Sequence, residues 1–100
     1  MPAHERIVSR AVFREVLAEV TEHTKQLLGR LSSSVVLSRV LEQLELMAAR
    51  TEGGRVPTEE ERQSTDVGPI AVRYFEGEHA EYGRSLKELD YAFRRFDALP

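Results

Sequence analysis

The chain has 100 residues, a net charge of −3 and no cysteine. It is therefore read as one domain, residues 1–100, without disulfides, thiolate catalysis, iron–sulfur clusters or cysteine-based zinc sites. Apolar residues make up 41% and charged residues 31%, a balance typical of folded globular chains and unlike disordered ones.

Ile7, Val8, Ala11, Val12, Val16, Val20, Thr24, Leu27, Leu28 and Leu31 recur at steps of three and four, which predicts one amphipathic helix over residues 4–31. Pro2 is tolerated near its start, where amides lack intrahelical partners, and Arg30 complements the dipole at its end. Gly29 and Ser32-Ser33-Ser34 mark the stop, and a serine caps a second helix that carries Val36, Leu37, Val40, Leu41, Leu44, Met47 and Ala48 on one face. The two are expected to form an antiparallel hairpin through a tight turn. Gly53-Gly54 ends the second helix, and Thr51 to Pro57 reads as the longest loop. Thr58 and Glu61 fit a capping box, so residues 59–65 are expected to form a short third helix with an acidic first turn, Glu59-Glu60-Glu61.

Residues 66–75 carry two patterns. Ile70, Val72 and Tyr74 alternate as in a strand, whereas Val67, Ile70, Ala71, Tyr74 and Phe75 fall at helical spacing. The helical reading is preferred because a lone strand would find no partner and Pro69 suits a first helical turn. Gly77 interrupts the segment. A last helix from about Glu78 to Phe96 presents Tyr82, Leu86, Leu89, Phe93 and Phe96 as an apolar stripe. The expected architecture is all-α: a small antiparallel bundle with a long N-terminal helix, a second helix, a short linker helix and two C-terminal helical segments.

No catalytic, cofactor-binding or metal-ligating set emerges. Glu76 and His79, with Glu42 and Glu45, are spaced like ligands of a di-iron bundle, but that fold needs two Glu-x-x-His pairs and only one is present. His4 and His23 have polar neighbours and no triad partners. Gly53-Gly54 lacks the Gly-Lys-Ser/Thr ending of a phosphate loop. No apolar run approaches the roughly 18 to 20 residues that cross a bilayer, and Met1 to Arg6 leads into no hydrophobic signal core. A cytoplasmic location is expected, with neither nucleic acid nor membrane as partner.

Charge distribution is more informative. Residues 42–81 hold ten acids against four bases, whereas the remainder is net basic. Either this is a solvated acidic region or it is a surface steered towards a basic partner.

Val36-Leu37-Ser38, Glu42-Gln43-Leu44-Glu45-Leu46, the acidic linker helix and above all Gly68-Pro69-Ile70-Ala71-Val72-Arg73-Tyr74-Phe75-Glu76, followed by Leu86 and Tyr91, carry a resemblance. The segment from Val35 to Phe96 resembles the small all-α immunity proteins of bacterial type VI secretion, in particular those that neutralise effectors hydrolysing NAD(P)+. The resemblance implies a non-enzymatic helical protein that binds a cognate toxin domain and blocks its active site. Ile70, Ala71, Val72 and Phe75 are then expected to hold the fold. The partner-binding surface is expected at Glu42, Glu45, Glu60, Glu61, Asp66, Tyr74 and Glu76. The alternative is a helical adaptor, chaperone or regulatory subunit, including a homodimer through the long first helix.

Overall fold

Ser9 sets the start of the first helix: its Oγ accepts the Val12 N–H at 3.1 Å and its carbonyl accepts the Phe13 N–H at 2.9 Å. The computed structural model describes residues 7–30, 34–75 and 77–100. Helix α1 therefore spans Arg10–Arg30, and Ile7 and Val8 precede it instead of continuing its face. Ile7 is buried, whereas Val8 and Ala11 face solvent. The readings made at Pro2, His4, Leu31, Ser32 and Ser33 lie outside the described residues.

Helix α2 spans Val35–Arg50, and Ser34 caps it by accepting the Leu37 N–H at 3.1 Å. Of the face expected from the spacing, Leu37, Val40, Leu44 and Met47 are buried, and Val36, Leu41 and Ala48 are half-buried at its margins. The α1 and α2 helices run antiparallel: Arg14, near the start of α1, donates to the Ala48 carbonyl at 2.8 Å and to Thr51 Oγ1 at 2.7 Å, at the end of α2. Beyond Thr51 the chain makes one 3-10 turn, Glu52–Gly54, in which Gly53 and Gly54 take φ of 66° and 86°. These left-handed conformations explain the glycine pair.

The capping box forms as expected. Glu61 N–H donates to Thr58 Oγ1, and the Thr58 N–H donates to the Glu61 carboxylate at 2.9 Å. Helix α3 is Glu59–Arg62, one turn shorter than the sequence suggested, because Ser64 takes the Glu61 carbonyl through both its N–H and its hydroxyl.

Helix α4, Val67–Tyr74, resolves the two-pattern segment in favour of helix. Helix α5 spans Ala80–Arg94 and ends in a 3-10 turn, Phe96–Ala98. All five residues of the stripe assigned to the last helix are buried. No strand occurs among the described residues, and the all-α bundle is the architecture observed.

The helices close around one apolar core. Phe13 of α1 stacks on Phe93 with ring centroids 6.1 Å apart and meets Phe96 edge-on at 5.2 Å. Helices α4 and α5 approach most closely. A Cβ on Gly68 would collide with the Asp90 carboxylate, and one on Gly83 would collide with the Phe75 carbonyl, so both glycines are needed as spacers. Polar groups caught in this seam are paired: Thr65 donates its hydroxyl to Asp90, and Arg94 donates to the Thr65 carbonyl at 2.7 Å and to Asp90 Oδ2 at 3.4 Å.

Candidate functional site

The other side of α4 is arranged differently. Between α2 and α4 lies an open groove of about 370 Å³, to which α2 contributes Val36 and Arg39 and α4 contributes Pro69, Ile70, Arg73 and Tyr74, with Asp66 at the head of α4. Local sequence explains the geometry. Gly68 and Ala71 of α4, and Phe75 at its end, are buried, so Pro69, Ile70, Arg73 and Tyr74, one or two positions away, turn to α2 or to solvent.

Asp66 occupies the cap position of α4, yet its carboxylate caps no helical N–H. It is drawn across to α2 instead. Asp66 Oδ2 accepts from Arg39 at 2.8 Å, Oδ1 accepts from the Gln43 amide, and the Asp66 N–H donates to Gln43 Oε1 at 2.8 Å. The Arg39 hydrogen bond, assisted by Gln43 and against some burial, holds the Asp66 carboxyl below the usual carboxylate range, and it raises the Arg39 guanidinium in turn. On α4, the Arg73 guanidinium lies 5.8 Å from the centre of the Tyr74 ring. Tyr74 is 53% exposed.

Of the seven residues expected at the partner surface, Asp66 and Tyr74 are brought together in this groove. Glu42 and Glu45 lie exposed on the outer face of α2 with Val35, Ser38, Arg39 and Leu46, and Glu60 lies exposed on α3. Glu61 is engaged within the fold: the Thr58 backbone, Arg55 at 2.8 Å and Arg50 at 3.5 Å hold its carboxyl below the usual range. Glu76 lies outside the described residues. Sequence reasoning did not single out Arg39 or Arg73, which become neighbours only when α2 packs beside α4; Val36 and Ile70, expected on apolar faces, are half-buried against the core and also line the groove. Val72, expected to support the core, is 55% exposed, at the edge of the face that α4 turns to α5.

His79 stands at the head of α5 with its ring edge towards Phe75, and His23 meets the Tyr82 ring edge-on at 4.9 Å. Among the described residues no group of three or more His, Asp or Glu side chains converges as metal ligands would. No helix among them is long and apolar enough to cross a membrane.

Residues 9–95 match the model of the Tsi6 family, which takes in all five helices and the groove. The chain belongs to the Tsi6 family. This is a type VI secretion immunity family, whose members act by binding a cognate effector toxin. The match extends the resemblance noted for the segment from Val35 to Phe96 to α1 as well. No curated protein and no solved structure matches the chain.

Proposed function

We propose that this protein binds the toxin domain of its cognate type VI effector inside the producing cell and occludes the active site, and that the reaction blocked is hydrolysis of NAD(P)+. The observation that carries the reading is the family match, which takes in all five helices. The protein's part is binding without catalysis. Glu42, Glu45 and Glu60 support such a role, being exposed carboxylates that make no ion pair with a described residue. They suit a cleft built to receive the phosphates of a dinucleotide, where cationic groups of the toxin would otherwise wait for substrate. Asp66 and Tyr74 belong to the proposed contact through the groove, where Asp66 holds Arg39 in place, Glu61 acts from within the fold through Arg50 and Arg55, and Glu76 completes the proposed set.

The test is a titration of the purified effector domain encoded beside this gene, following NAD+ consumption as the protein is added. Inhibition saturating at a fixed molar ratio is expected. A stable complex with undiminished consumption would sink occlusion, and absence of a complex would sink the immunity reading. Reversing Glu42, Glu45 and Glu60 to Lys should weaken the complex and flatten its salt dependence at unchanged helicity. Unchanged affinity would place the contact elsewhere.

A further inference from the structure

We propose that the groove between α2 and α4 receives an acidic side chain of the effector, carried on an apolar stretch and held between Arg39 and Arg73. The assignment rests on the immunity reading and specifies the chemistry of the effector segment. Charge complementarity is the first argument. The protein is net negative, but the groove holds two guanidinium groups against one carboxylate. Asp66 is already matched, since both its oxygens accept hydrogen bonds, from Arg39 and from Gln43. Arg73 makes no ion pair with any described residue. Among the described residues, the Arg73 charge is therefore left without a matching anion in the groove.

The second argument is order. Gln43 fixes Asp66 and Asp66 fixes Arg39, while Arg73 is positioned over the Tyr74 ring. Cations held this way lose little freedom when an anion arrives, which favours affinity. The planar guanidinium of Arg73 matches a carboxylate through two parallel N–H bonds.

The third argument is the apolar contribution of Val36, Pro69 and Ile70 beside the cations. It suits a peptide side chain with a hydrocarbon body better than a hydrated phosphate. Glu42, whose charge already acts on Arg39, would also repel a dianion more than a single carboxylate.

The test uses the full chain and the purified effector domain. Arg73→Glu is expected to weaken the complex at least tenfold and reduce its salt dependence, with helicity and melting temperature unchanged. Arg73→Lys, which keeps the charge and loses the fork, should fall between the two. A photo-crosslinking benzoylphenylalanine at Tyr74 should capture an effector peptide containing Asp or Glu. Affinity of the Glu variant within twofold of wild type, or a captured peptide with no acid, would overturn the assignment while the immunity reading stands. Loss of self-association in place of effector binding would overturn it in favour of a second copy of this chain. Failure of the unaltered protein to bind the effector would remove both readings together.

Discussion

Helix α4 has two sides built on opposite principles. Towards α5, Gly68 leaves room for the Asp90 carboxylate and Gly83 lets the Phe75 backbone lie against α5, and the polar groups trapped there, Thr65, Asp90 and Arg94, are hydrogen-bonded to one another. Towards α2, larger side chains hold the helices apart, and the polar groups are ordered but open to solvent. The first seam has no slack, and the second keeps a space with donors around it. One eight-residue helix thus separates what fixes the structure from what is free to contact a partner.

The sharpest way to break this comparison is to alter the tight seam. Phe75→Ala should cost roughly 3 to 5 kcal/mol, measured by denaturant unfolding, because the ring is buried against Tyr82 and stands where α5 crosses. Gly83→Ala should cost roughly 1 to 3 kcal/mol, since the added methyl meets backbone, which cannot rotate away. Loss below about 0.5 kcal/mol in either variant would mean that the seam is looser than described.

Smaller effects come from polar groups in the core. Thr24 donates to the Val20 carbonyl, so Tyr82 donates its hydroxyl to Thr24 at 2.5 Å. Burial pushes the Tyr82 phenol up to about 12. With an unfolded value near ~10, its contribution to stability is complete below that pH and is lost as pH rises through the folded value. Stability should therefore fall on the alkaline side, and Tyr82→Phe should flatten that fall while costing about 1 kcal/mol at neutral pH.

Asp66 and Glu61 have the opposite sign. Their folded values are depressed, so their contribution is present above the unfolded value near ~4 and is lost as pH drops through the folded one. Asp66→Asn should flatten the acid limb of a stability–pH profile. Smallest of all, Val72→Ala and Arg73→Ala should change stability by less than about 0.5 kcal/mol. A larger loss would show that the outward side of α4 supports the fold after all.

Helix periods, a serine cap within Ser32-Ser33-Ser34 and the Thr58–Glu61 box were legible in the sequence because each depends on residues within four positions of one another. The glycine spacers were not, since nothing near Gly83 announces that Phe75 will lie across it. Nor was the groove: Arg39 and Arg73 are far apart in the chain, and a count of charge along the sequence averages Arg73 into the acidic stretch while leaving Arg39 outside it. Glu61 shows the same limit from the other direction, as its partners Arg50 and Arg55 come from the preceding helix and loop. Local physics wrote the elements, and packing across elements decided which charges were left over.

The stacking of Phe13 on Phe93 and Phe96 bears on synthesis at the ribosome. An aromatic ring in the first helix waits for companions encoded in the last, and such long-range closures come late in folding. Until α5 has emerged, the Phe13 ring lacks the two rings against which it packs in the finished fold.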